Sequence, residues 1–117
     1  MYEFKKTIKD KEWTFLLLSD KKYDKDHGED SDGITYPSER CVYFAKSTIN
    51  LSVILHELMH VFNNASLINS SDLTRLQQEE LGCEIVAEHY FDIGKLAFEI
   101  NEFFHTRPKK KDLTTLV

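Results

Sequence analysis

The sequence predicts an α+β fold: a short antiparallel or mixed N-terminal sheet, then a helix over residues 53 to 63, then a long C-terminal helix. Three observations predict it. Strand-like aromatic and aliphatic runs are confined to the part before residue 46, and helical periodicity takes over after it. Strands grouped ahead of helices, not alternating with them, read as α+β. At 117 residues the chain is long enough for one modest core and too short for two, so residues 1 to 117 are expected to form a single domain.

The first strand candidate lies within residues 12 to 20, where Trp13-Thr14-Phe15-Leu16-Leu17-Leu18 forms a buried-strand pattern. Residues 20 to 33, crowded with Asp and Lys, read as a polar loop. Ile34-Thr35-Tyr36 and Cys41-Val42-Tyr43-Phe44-Ala45 form a second strand region, with Pro37 marking a turn or edge between them. Ser47, Asn50 and Ser52 are candidate N-caps for a helix over residues 53 to 63. Asn63-Asn64-Ala65-Ser66 ends that helix, and Asn69-Ser70-Ser71-Asp72 offers the next caps. A helical pattern then spans residues 73 to 105, its apolar stripe running through Leu81, Ile85, His89 or Tyr90, Ile93, Leu96 and Ile100. Gly94 leaves open whether this is one helix or two.

Hydrophobic residues make up 41% and charged residues 30%, a balance that excludes a disordered chain. The net charge of −5 argues against a nucleic-acid binder, which needs a basic face to replace phosphate counterions. The basic run Arg107-Pro108-Lys109-Lys110-Lys111 reads as part of a flexible, solvated tail over residues 106 to 117. The Phe15-Leu16-Leu17-Leu18 run is too short for a signal-peptide core or a spanning helix, so a cytoplasmic product with no membrane partner is expected. Cys41 and Cys83 form no Cys-x-x-Cys pair and are expected to be reduced and buried.

The chemistry concentrates in His56-Glu57-Leu58-Met59-His60. Two histidines four residues apart on a helix project from one face, the geometry two imidazoles need to grip one tetrahedral zinc ion. Glu57 stands beside the metal, where a carboxylate can take a proton from zinc-bound water and pass it to a leaving amine. A shuffled chain of this composition would show the motif in about 2% of cases, so context must decide. Residues 53 to 62 carry no charge except Glu57, and a buried glutamate on so apolar a helix is costly unless something pairs with it. A metal supplies the pairing.

The third ligand is not a histidine of the metzincin pattern, since position 63 is Asn and position 66 is Ser. His27, His89 and His105 have no motif to recommend them. A carboxylate from the second helix is the natural choice, and Glu79, Glu80, Glu84 and Glu88 are the candidates. Glu80, Glu84 and Glu88 share one face at i, i+4, i+8.

His56-Glu57-Leu58-Met59-His60 followed by Glu80-x-x-Cys83-x-x-x-Ala87 resembles the ImmA/IrrE type of short metallopeptidase, common in phages and mobile elements. It is similar also to the minimal phage-encoded zincins related to that group. The resemblance spans residues 41 to 100 and implies a zincin-like fold, a Zn²⁺ cofactor and Glu80 as the third ligand. The sequence departs from the pattern in having Glu84 where the family often has Asn, which keeps Glu84 as the alternative ligand. It also lacks a helix-turn-helix segment.

Other features carry less. Gly28-Glu29-Asp30-Ser31-Asp32-Gly33 nearly reproduces a calcium loop, but Gly28 stands where the first acid belongs and the flanks are not two helices. That loop is expected to border the substrate cleft. Most aromatics, from Tyr36 to Phe104, read as core. If the strand before the metal helix aligns substrate by edge pairing, as in zincins, the backbone of residues 43 to 45 is the ledge. Tyr90 or His89 could serve as oxyanion donor. The expected function is zinc-dependent hydrolysis of a peptide or protein substrate. The alternative is a catalytically weak zinc-binding module, a phage or mobile-element accessory protein that binds a host protein. Oligomeric state is not legible.

Overall fold

The computed structural model of the chain describes residues 1–65 and 74–106. Its elements run β1 (Tyr2–Ile8), β2 (Lys11–Leu18), α1 (Asp20–His27), β3 (Gly33–Tyr36), β4 (Cys41–Ala45), α2 (Leu51–Ala65) and α3 (Arg75–His105). The strands form one mixed sheet in the order β1-β2-β4-β3. β2 pairs antiparallel with β1 and parallel with β4, while β3 pairs antiparallel with β4. The α+β class, the mixed sheet and the long C-terminal helix agree with expectation.

Two elements were not anticipated. β1 has a single buried side chain, Ile8, so it carries almost no apolar alternation. It is held by its backbone pairing with β2 through a two-residue turn, Lys9-Asp10, where φ is positive at both positions (48° and 70°). Positive φ at both central residues is the primed turn that matches strand twist. α1 replaces the expected polar loop. Ser19 caps it by accepting from the Lys22 backbone N–H, Lys22 and Asp26 pair at 2.9 Å one turn apart, and Gly28 closes it at φ 88°. Only Tyr23 of this helix is buried, which is why periodicity failed to reveal it.

The sheet separates two apolar clusters. Trp13, Phe15, Leu17, Val42 and Phe44 point to one face, where α2 and α3 cover them with Ile54, Leu58, Val61, Ile93, Ala97, Ile100 and Phe104. Leu18 and Ala45 point to the other, under Tyr23 of α1, with Ile34 and Tyr43 packed alongside. Alternation along β3 follows: Gly33 and Thr35 turn toward α2, while Ile34 and Tyr36 turn toward α1.

α2 starts one residue after Asn50, whose side chain accepts from the Val53 backbone N–H at 2.9 Å, so Asn50 is the cap among the three candidates. α3 is one helix through Gly94. Its cap is Thr74, in a capping box with Gln77; the expected caps at 69 to 72 lie outside the described residues. So does the expected tail, apart from Thr106. Of the α3 stripe, Ile93, Leu96 and Ile100 are buried, but Tyr90 is exposed, and the side chains of Leu81 and Ile85 are not among those described.

No described side chain of α3 before Ile93 is buried. This corrects two expectations. Cys83 is free and exposed, and Cys41 is free and only half-buried. Tyr90, Phe91 and Phe98 lie on the surface, not in the core. Among the described residues, no helix is long and apolar enough to cross a membrane.

Candidate metal centre

α2 buries Ile54, Leu58, Val61 and Phe62 against the sheet and α3, and this leaves the flank bearing His56, Glu57 and His60 turned toward β3. His56 and His60 are both exposed, the His56 side chain at 71%. Their ring centroids lie 5.1 Å apart. Two imidazoles bound to one tetrahedral ion at about 2.0–2.1 Å place their centroids about 5.2 Å apart. The centroid spacing of the pair therefore matches that of two imidazoles sharing one ion.

Glu57 is the reverse of its neighbours, 5% exposed and the one buried charged residue of the described core. Its Oε1 accepts a hydrogen bond from the Thr35 hydroxyl at 2.7 Å. Its Oε2 faces His56 Nε2 at 3.9 Å, beyond hydrogen-bond reach. The close approach of α2 to β3 depends on Gly33. A Cβ there would sit 3.1 Å from Glu57 Cγ, 3.1 Å from Val53 Cγ1 and 3.3 Å from a Phe44 ring carbon. Gly33 and Thr35 were not singled out from the sequence; only the i, i+2 spacing on a strand ahead of the metal helix offered a signal.

Two adjoining hollows open at this flank. One of about 330 Å³ is lined by Ser31, Asp32, Gly33, Ser52, Val53, His56 and Glu57. The other, about 250 Å³, is lined by Gly33, Ile34, Thr35, Pro37, His56, Glu57 and His60. The loop ending at Asp32 thus borders the cleft, as expected. A third hollow, about 340 Å³, lies away from this chemistry, between the β1–β2 turn and α3, and none of residues 56, 57 and 60 lines it.

Two expectations are corrected here. The backbone of Tyr43 to Ala45 is no substrate ledge, because β4 is interior and both its edges are paired. The free edge beside the cleft belongs to β3. Tyr90 and His89 line neither hollow of the cleft; His89 packs on Phe62 of α2 at 5.5 Å. His27 closes α1 on the far side of the sheet, bonded to the Tyr36 hydroxyl at 2.8 Å and stacked on Tyr43.

Glu80 and Glu84 occupy exposed positions of α3. Phe62 on α2 meets His89, and Glu84 and Glu80 precede His89 by about 7.5 and about 13.5 Å of helix rise. Among the described residues, no group of three His, Cys, Asp or Glu side chains is arranged to hold a metal ion. The imidazole pair and Glu57 are brought together; among the described residues, Glu80, Glu84 and Glu88 are not brought to them. Glu79 has no described side chain, and Glu88 is exposed beside His89.

Compared with family models, curated proteins and solved structures, the chain matches none.

Proposed function

We propose that the chain is a zinc-dependent peptidase of the His-Glu-x-x-His type with a zincin-like fold. One observation carries the reading: a buried carboxylate set between two exposed imidazoles whose spacing matches that of a pair sharing one ion, on the wall of an open cleft. A zinc ion held there by His56 and His60 would supply Lewis acidity to the scissile carbonyl and to the attacking water. Glu57, which lines both hollows, accepts the proton and returns it to the leaving amine. The free edge of β3 is suited to align an extended peptide by backbone pairing.

The third ligand is assigned to α3, Glu80 first and Glu84 as the alternative. Either choice requires the first turns of α3 to close toward the β3-facing flank of α2. That requirement favours a second reading: a zinc-binding module with little turnover, whose task is to hold a partner protein.

Metal content decides the reading. Protein purified without added metal should carry one zinc per chain, lost in His56→Ala and in only one of Glu80→Ala and Glu84→Ala. A chain that takes up no zinc even when supplied with it is not a metallopeptidase. Glu57→Gln should keep the zinc and lose cleavage of a labelled casein; zinc retained with no cleavage in the wild type either selects the binding module.

A further inference from the structure

Three side chains of α2, His56, Glu57 and His60, line the same hollow, and only the two imidazoles should ligate an ion there. The environment of Glu57 separates its role from theirs. The carboxylate is buried, its Cγ is hemmed in at Gly33, and Oε1 is engaged by Thr35 on the neighbouring strand. A threonine hydroxyl has one proton to give, and here it goes to Oε1. Thr35 is β-branched and sits in a regular strand, so its χ1, and with it the direction of the donor, is stiff. The anchor therefore belongs to the sheet and not to the metal helix.

We propose that Thr35 is the positioning residue of this site, holding one oxygen of Glu57 on β3 so that Glu57 serves as a base and does not become a metal ligand. The proposal rests on the peptidase reading and adds a division of labour to it. With Oε1 tethered, Oε2, 3.9 Å from His56 Nε2, is the oxygen left to act as base, and the carboxylate cannot swing out to chelate the ion or displace its water. Gly33, on the same strand face two residues earlier, lets the helix approach closely enough for the tether to form.

The test compares Thr35→Val, which keeps the shape and removes the hydroxyl, with Thr35→Ser, which keeps the hydroxyl. The probes are Zn²⁺ in competition with a chromophoric chelator and the visible absorption of Co²⁺-loaded protein. In Thr35→Val the released carboxylate should join the ion, so zinc binds more tightly and the cobalt bands move. Cleavage of labelled casein should fall about 10- to 100-fold in kcat, with KM little changed. Thr35→Ser should restore all three, which also shows that the loss is not misfolding. In a Glu57→Ala background, Thr35→Val should leave the cobalt bands where they were, because the tether acts only through Glu57. Cobalt bands and zinc affinity unchanged in Thr35→Val, with wild-type metal binding intact, would overturn the role of Thr35 and leave the peptidase reading standing. A wild type that binds neither metal overturns both.

Discussion

α2 and the first half of α3 both carry residues of the proposed site, yet the fold treats them in opposite ways. On α2 each functional side chain has a defined place. Glu57 is buried and tethered, and His56 and His60 are held at 5.1 Å by a helix whose other face is locked into the core. On α3, none of the described side chains before Ile93 is buried: His89 rests half-buried on Phe62, while Glu80, Cys83 and Glu84 stand in solvent. Burial of Ile93, Leu96, Ala97, Ile100 and Phe104 anchors only the second half of that helix. The difference teaches that a motif confined to one well-packed turn is preorganised by the fold, whereas a ligand from a distant helix depends on how firmly that helix is docked.

The largest effect that separates the two regions comes from aromatic truncation within α3. Phe104 is fully buried and touches the rings of Phe44 and Phe103, so Phe104→Ala should cost about 3–5 kcal/mol. Phe91 is 73% exposed, and Phe91→Ala should change stability by no more than about 0.5 kcal/mol. Urea unfolding of both variants at fixed pH measures the gap. Comparable losses would mean that the first half of α3 is packed as firmly as the second, and the comparison would fail.

A smaller effect sharpens the contrast through its sign. Gly33→Ala puts a methyl 3.1 Å from Glu57 Cγ and from Val53 Cγ1, pushing β3 off α2, and should cost about 1–3 kcal/mol. Gly94→Ala meets nothing within 4 Å in the middle of a helix, so it should stabilise by about 0.5–1 kcal/mol. The same substitution thus moves the midpoint of thermal unfolding in opposite directions. A stabilising Gly33→Ala would show that the α2–β3 approach is looser than its distances imply.

What was legible in the sequence follows the same division. β2, β4, α2 and the second half of α3 bury continuous apolar faces, and their hydrophobic spacing announced them. The His-Glu-x-x-His turn was legible because its chemistry is local, needing only helix geometry to bring its groups together. α1 and β1 were not, since each buries one side chain and is held by caps, a primed turn and backbone pairing. Thr35 and Gly33 escaped for another reason. Their importance comes from a contact between residues 22 positions apart, set by the docking of strand on helix, and no local pattern encodes it. The ledge was assigned to β4 because the order β1-β2-β4-β3, which makes β4 interior, is a topological fact.

The smallest effect probes how α1, the element sequence patterning missed, is joined to the pinned region. Asp20 Oδ1 accepts from the Ser47 backbone N–H at 2.9 Å, tying the first turn of α1 to the segment that leads into α2. The backbone hydrogen bond from Ser47, and then its side-chain hydroxyl, hold the Asp20 carboxyl below its ordinary value of 3.8. A carboxyl whose folded pKa is depressed stabilises the fold fully above its unfolded pKa, and that contribution is lost as pH falls through the folded one. Asp20→Asn should therefore be slightly less stable than the wild type at neutral pH. The gap should stay constant down to just above pH 3.8 and close below it. Urea unfolding of the two proteins at pH 7, 5 and 3 measures this. A gap that persists unchanged at the lowest pH would mean that the tie between α1 and Ser47 is one of shape, with the charge on Asp20 contributing nothing.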